Sequence, residues 1–383
     1  MKFSVDAHAI GRQLTGNEVY VRNLITNFAA LDTDSEFIAY LSASNVNGWV
    51  PGRFERRLVS KNPFCRLGYD LSRNLLRDRP DILHVQYTAP LKCPVPVVVS
   101  VHDVSFVEHP EYFQFARRRQ LCWTVRRTVR MAAKVITGSE FSRAAIARVY
   151  GVNGDDIAVV PNAASPVFRP IASEAASARV LARFGMAAPF LLTVGDLQPR
   201  KNQIGLIRAF AEAVRSTPGI AHHLVLAGKD TWFAPRVRAA ARESGVVDRI
   251  HFTGYVSDEE LLDLYNACDV FVFPSYYEGF GLPVLEAMAC GRAVACSDTT
   301  AIPEVADSAA ILFDPNSTTE ITRAILDLVL DRELRRRMGK LGLSRAQQFN
   351  WRKAAAETLE VYHVVAGRRE ALAAPRKAVA ALR

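Results

Sequence analysis

No stretch of this 383-residue chain approaches the roughly twenty consecutive apolar residues that a membrane-crossing helix needs. Its first residues, MKFSVDAHAIGRQ, hold neither an apolar core nor a small-residue cleavage site, so no secretory leader is expected and the protein should stay in the cytosol. Cysteine is sparse. Cys65, Cys93, Cys122, Cys268, Cys290 and Cys296 show no CxxC or other metal-ligand spacing, and several fall in apolar runs, which suits reduced core thiols. A P-loop is missing too: Lys229 follows Gly228, but Asp230 stands where Ser or Thr is required and the upstream glycine is absent.

Apolar material is plentiful in comparison. Hydrophobic residues make up 49% of the chain and mean hydropathy is +0.04, enough for a full core in each of two ordinary domains. The formal net charge of +9 and a pI of about 9.4 call for an anionic partner. By charge alone nucleic acid, acidic lipid and a phosphorylated substrate all qualify. An aromatic-basic stacking motif is lacking, which counts against nucleic acid.

Strand and helix patterns alternate along the chain. Residues 2–7 are strand-like and LTGNEVYVRNLITNFAAL is helical, with Gly11 and Gly16 between strand and helix where backbone could approach a phosphate. EFIAYLS reads as a strand, Arg53 to Arg79 as basic and irregular, and DILHVQY and VPVVVSVHDVS as two buried parallel strands. His102 and Asp103 fall where the second of these ends, and ligands gather at such strand ends in open α/β sheets. His84, one strand earlier, is expected to be structural. Residues 114–134 form a basic helical stretch with Leu121, Val125, Val129 and Ala132 on one side, Arg119, Arg126, Arg127, Arg130 and Lys134 on the other, and Trp123 among the arginines. Such a helix can pack its aliphatic stripe on the domain or lie on an anionic bilayer.

After AKVITGSEFS and DIAVVPNAAS the composition turns to Ala, Ser and Pro until about residue 184, where a domain boundary is expected. FLLTVGDLQPRKNQIGLIRAFAEAV then reads as strand, loop and helix, with Arg200 and Lys201 just ahead of the helix, either as a pair of surface cations or as the neutralising partners of a diphosphate. In RIHFTGYVSDEELLDLYNACDV, Ser257 and Glu260 make a capping box. Alternation in two blocks predicts two doubly wound domains facing one cleft.

Residues 269–297, DVFVFPSYYEGFGLPVLEAMACGRAVACS, are the most informative segment: a buried strand, a glycine-rich turn, a short helix from about Pro283 stopped at Gly291, and a strand. Glu278 precedes the turn and Glu286 lies about one turn into the helix. The helix start favours negative charge, yet two carboxylates there would repel a bare anion. They fit hydroxyl groups that flank a phosphate, as in a sugar nucleotide.

EGFGLPVLEAMACG resembles the paired-glutamate motif of the retaining GT-B glycosyltransferases of family four, and GDLQPRKN is similar to that family's diphosphate motif. The resemblance covers nearly the whole chain. It implies a GT-B fold with two Rossmann-like domains: an acceptor domain over 1–165, completed by a C-terminal helix at about 350–365, and a donor domain over 185–348; by its own basic, alanine-rich composition the tail over 367–383 is expected to be mobile. It further implies transfer of a hexose from a nucleotide-diphosphate sugar to a glycan or lipid-linked acceptor, without metal or other cofactor. Carried over residue by residue, Glu278 faces the donor sugar, Glu286 holds the ribose, and Arg200 and Lys201 meet the diphosphate. His102 touches the sugar or the reacting region, Gly16 and the helix start at Gly281 and Leu282 face the phosphates, and the backbone at Tyr255 and Val256 receives the base. The Asp32 and Asp34 of a DTD triplet, a metal-diphosphate signature in another glycosyltransferase class, follow a helix and precede a strand, where a polar turn is expected. Many members carry a glycine pair where this chain has Thr300 and Ala301. QPRKN, LVLAGK and TTAIPEV look most like mannosyltransferase members, which favours GDP-mannose. A catalytically silent sugar-nucleotide or membrane-binding module, or another GT-B enzyme such as an epimerase, is the alternative, and membrane association would place the protein on the inner face of the membrane.

Overall fold

The structure is a computed structural model that describes residues 1–12, 15–44, 46, 48–186 and 189–373. Strands β1 (Lys2–Asp6), β2 (Glu36–Leu41), β3 (Phe54–Leu58), β4 (Ile82–Gln86), β5 (Val97–Ser100), β6 (Lys134–Thr137) and β7 (Ile157–Val159) form one sheet in the order β3-β2-β1-β4-β5-β6-β7. A second sheet joins β8 (Phe190–Val194), β9 (His223–Ala227), β10 (Ile250–Gly254), β11 (Val270–Phe273), β12 (Ala293–Ser297) and β13 (Ile311–Phe313) in the order β10-β9-β8-β11-β12-β13. Every pairing is parallel. The central strands read as unbroken apolar runs because helices cover both of their faces; β4, β5, β11 and β12 are buried at every position.

Strand order reverses between β1 and β4 in the first sheet and between β8 and β11 in the second. At such a switch point neighbouring loops leave toward opposite faces and a crevice opens at the carboxyl edge. The loops after β8 and β11 carry Arg200, Lys201 and Glu278, so sheet topology brings together residues that lie far apart in the chain.

Three stretches differ from expectation. The basic segment 53–79 is ordered: Phe54–Leu58 adds an edge strand whose side chains mostly face solvent, which hides the apolar signal of a strand, and Leu71–Asp78 is a helix with Leu71 and Leu75 buried. Residues 173–184, expected to be part of a linker, form a helix that buries Ala176 and Val180 in the core of the second domain. The last helix does not stop near 365 but runs from Trp351 to Ala373. It crosses back to the first domain, where Trp351, Ala355, Leu359 and Tyr362 join a core with Phe3, Phe28 and Phe37. Of the tail expected over 367–383, residues 367–373 continue this helix, and 374–383 lie outside the described residues.

Candidate active site between the two sheets

β8 ends at Val194, and the loop after it places Arg200 and Lys201 in a single turn capped by Asn202 (φ +52), whose side chain accepts from Gly205 N at 3.1 Å. Gly195 has φ +151, and a Cβ there would lie 3.1 Å from Cε of Lys201, so a bare glycine lets the lysine stem lie flat beneath the loop. Arg200 O accepts from Tyr276 N at 2.8 Å, and Arg200 Nη1 donates to Tyr277 O at 3.1 Å. These bonds fasten the cationic loop to the segment that carries Glu278.

Three of the four ionic residues expected at the site meet at one oxygen. Oε1 of Glu278 lies 2.7 Å from Lys201 Nζ and 2.9 Å from Arg200 Nη1, and Lys201 Nζ also sits 4.8 Å over the Phe273 ring. Burial pushes the Glu278 carboxyl up, but the two cations outweigh it and hold it at about 2. Burial pulls the Lys201 ammonium below its ordinary value, against the pull of Glu278; for Arg200 burial also works downward, but Glu278 and Asp103 overcome it and keep the guanidinium raised. Glu278 is thus an anion at neutral pH, held between the raised guanidinium of Arg200 and the Lys201 side chain.

Glu286 lies on the Leu282–Ala289 helix and is 6% exposed. Its Oε2 accepts from Tyr265 at 2.9 Å, and burial, reinforced by Asp258, raises its carboxyl to about 7 despite Tyr265 and Lys201. The two glutamates therefore differ: Glu278 is a fixed anion, and Glu286 is poised between acid and carboxylate. Gly281 caps this helix with φ +105.

From the facing domain, His102 follows β5. Its Nε2 is 2.9 Å from Gln86 Oε1, its ring meets the edge of Tyr20 at 4.6 Å, and burial lowers it to about 4 against the opposing pull of Asp103, so it is neutral. His84 is fully engaged by Tyr362 at 2.5 Å and Ser100 at 2.7 Å, in keeping with a structural part. Gly16 is not in the loop between strand and helix; it is an exposed residue in the first turn of the Thr15–Leu31 helix, and the turn itself is made by Gly11 at φ +77. Tyr255 and Val256 follow β10 at the sheet margin, with Lys229 Nζ 4.8 Å over the Tyr255 ring. In the basic stretch 114–134 the helix covers Phe115–Met131, with Val125 and Val129 buried. Lys134 belongs to β6, and Arg127 turns inward to the carbonyls of Pro90 and Leu91 at 3.0 and 2.6 Å, which leaves Arg119, Arg126, Arg130 and Trp123 exposed.

The two domains touch at the site itself. The carbonyl of Gly279, next to Glu278, accepts from Ser139 Oγ at 2.8 Å and Ser142 Oγ at 3.0 Å of the first domain. A Cβ on Gly279 would fall 1.8 Å from His102 O, so only glycine allows this approach. Glu304 accepts from the backbone N–H groups of Glu140 and Phe141 at 2.8 and 2.6 Å, Tyr277 donates to Glu108 at 2.8 Å, and Arg22 pairs with Asp258 at 2.6 Å. Thr300, at one of the two positions where the resemblance implies glycine, sits at φ +60, unfavourable for a β-branched residue, and its Oγ1 accepts from Glu278 N at 3.1 Å. Sequence reasoning passed over Gln86, Ser139, Ser142, Tyr265 and Glu304. Gln86 carried a readable signal, since it ends β4 as His102 follows β5; the others are defined by partners across the cleft or fold, which no local pattern encodes.

Models of two families match the chain: glycosyl transferases group 1 over residues 182–345 and glycosyltransferase family 4 over 14–166. The chain is similar to the O-antigen chain mannosyltransferase B of Escherichia coli, 34% identical over 269 residues that cover 70% of each protein. It is 32% identical over 183 residues to the serotype-specific mannosyltransferase WbdA of Escherichia coli, covering 46% of this chain and 22% of that protein. Sucrose-phosphate synthase of Thermosynechococcus elongatus superposes with a TM-score of 0.78 at 20% identity, over 96% of this chain and 100% of that one, a likeness of fold. With two parallel-sheet domains meeting at a cationic, glutamate-bearing cleft and both halves matched, the chain belongs to the group 1, family four glycosyltransferases and is a glycosyltransferase of GT-B fold.

Proposed function

We propose that the protein transfers mannose, with retention of configuration, from GDP-mannose to a glycan or lipid-linked acceptor in polysaccharide assembly. The observation that carries this reading is the cluster of Arg200, Lys201 and Glu278 at the switch point of the second sheet. The mannosyl donor is favoured by the two mannosyltransferase relatives.

In this reading Arg200, Lys201 and the helix start at Gly281 and Leu282 meet the diphosphate, and Gly16 approaches it from the other domain. Negative charge on the diphosphate grows as the C1–O bond breaks, so these contacts are stronger in the transition state than in the ground state and raise the rate. No metal is needed, because two cations and a helix end already oppose that charge. Glu278 orients the sugar and favours positive character at C1. His102 meets a sugar hydroxyl, Glu286 the ribose, and the backbone at Tyr255 and Val256 the base. The acceptor oxygen attacks C1 from the face the diphosphate leaves, and its proton passes to the departing phosphate oxygen. Contact between the domains at Gly279 excludes water from the reacting centre.

No helix among the described residues is long and apolar enough to cross a membrane. The exposed Arg119, Arg126, Arg130 and Trp123 would instead hold the enzyme on the inner face of an anionic membrane, near a lipid-linked acceptor. The test is turnover of GDP-mannose and a panel of other nucleotide sugars by wild type, Arg200→Ala and Glu278→Ala. Wild type should slowly release nucleoside diphosphate from its donor, and both variants should lose at least about a hundredfold while staying folded. Binding without release would leave a silent module, and full turnover by folded Glu278→Ala would remove the assignment.

A further inference from the structure

Gln86 closes β4 beside Ser100 of β5 and is 8% exposed. Its side-chain amide has two neighbours. Nε2 lies 3.1 Å from the carbonyl oxygen of Asn17, in the first turn of the Thr15–Leu31 helix, and Oε1 lies 2.9 Å from His102 Nε2. A carbonyl oxygen can only accept, so the NH2 end of Gln86 must face Asn17, since the reverse orientation would oppose two oxygens. The oxygen left facing His102 can also only accept. The hydrogen of a neutral imidazole then has to reside on Nε2, and the lone pair on Nδ1. Among the described residues no hydrogen bond occupies Nδ1.

We propose that Gln86 is a positioning residue that locks His102 in its Nε2–H form, so that the cleft offers a hydrogen-bond acceptor at Nδ1 for a hydroxyl of the donor sugar. This rests on the reading that the donor sugar binds at His102, and it adds which group gives and which accepts the proton. The ring is held on both sides, by the Tyr20 edge at 4.6 Å and Tyr87 at 5.5 Å. The titratable groups around it are Tyr20 of the first helix, Tyr87 and His84 of the β4 segment, and Asp103 of its own loop. Burial holds the ring neutral, so its tautomer is the variable left to set. The same amide ties His102 to the helix turn that contains Gly16.

The experiment is nitrogen-15 NMR of histidine-labelled full-length protein without donor, with the His102 signals assigned by their absence in His102→Gln. A pyrrole-type Nε2 and a pyridine-type Nδ1 are expected in wild type, and in Gln86→Leu a mixture of the two tautomers with kcat/KM for GDP-mannose lowered about tenfold, the size of one misplaced hydrogen bond. Gln86→Glu should retain Nε2–H and move the His102 titration to higher pH. An Nδ1–H tautomer in wild type overturns the proposal without any variant, and so does an unchanged tautomer in folded Gln86→Leu. Full turnover by His102→Gln would instead remove the donor-site reading, while the NMR result on Gln86 stands by itself.

Discussion

Lys201 Nζ lies 2.7 Å from Glu278 Oε1 across 77 residues of sequence, and Arg200 reaches the same oxygen at 2.9 Å. One carboxylate thus holds two largely buried cations. Removing it leaves both without that partner, which costs about 3 kcal/mol in such settings. Glu278→Ala should therefore melt well below wild type, and millimolar GDP should restore most of the loss by supplying anionic oxygens. Differential scanning fluorimetry with and without GDP measures both effects. Equal GDP shifts in wild type and variant would argue against a diphosphate at these cations.

Glu286 has its carboxyl raised to about 7 by burial. A raised folded-state value means that the stabilising contribution is complete below the unfolded value near 4.5 and disappears as pH climbs through 7, where a buried charge must form. The full effect is about 3 kcal/mol. Glu286→Gln should thus gain stability over wild type at about pH 8 and match it near pH 4. For the proposed ribose contact a carboxylate is a stronger acceptor than its neutral acid, so donor KM should fall from about pH 6 to about pH 8 in wild type and stay flat in Glu286→Gln. Urea titrations at the two pH extremes and a KM profile provide the measurements.

Gly279 should accept no side chain. Since a Cβ at this position would lie 1.8 Å from His102 O, Gly279→Ala has to push the domains apart and release Ser139 and Ser142 from the Gly279 carbonyl. Small-angle scattering should show an enlarged radius of gyration, and turnover should fall about a hundredfold although each domain keeps its core. The Ser139→Ala, Ser142→Ala double variant removes two donors from one buried oxygen and should cost roughly 1–3 kcal/mol of stability. Unaltered scattering and turnover in Gly279→Ala would show that this contact is not needed for catalysis.

The exposed face of the Phe115–Met131 helix carries Arg119, Arg126 and Arg130 around a 60% exposed Trp123. Co-sedimentation with vesicles rich in phosphatidylglycerol should drop several-fold on Trp123→Ala and nearly vanish when the three arginines become glutamate, each basic residue being worth about 1 kcal/mol at such a surface. Turnover of a water-soluble acceptor should not change. Retained vesicle binding in the triple variant would assign that helix a purely structural role.

Local chemistry by itself determined the alternation of elements, the buried strands, the Ser257–Glu260 capping box and the short helix after Glu278, because periodicity, caps and turn residues act over a few positions. The resemblance carried by EGFGLPVLEAMACG and GDLQPRKN, and not local chemistry alone, singled out Arg200, Lys201, Glu278 and Glu286 as candidate site residues. The edge strand at Phe54–Leu58 and the helix at 173–184 escaped local chemistry, since exposed charges and an Ala-Ser-rich composition hide their buried contacts. Only the tertiary structure decided that Arg200 and Lys201 share one oxygen of Glu278, that Glu286 is poised near neutrality against Tyr265, and that Gln86 orients His102. Those properties come from strand order, burial and contact between domains, which are fixed by what the rest of the chain places nearby.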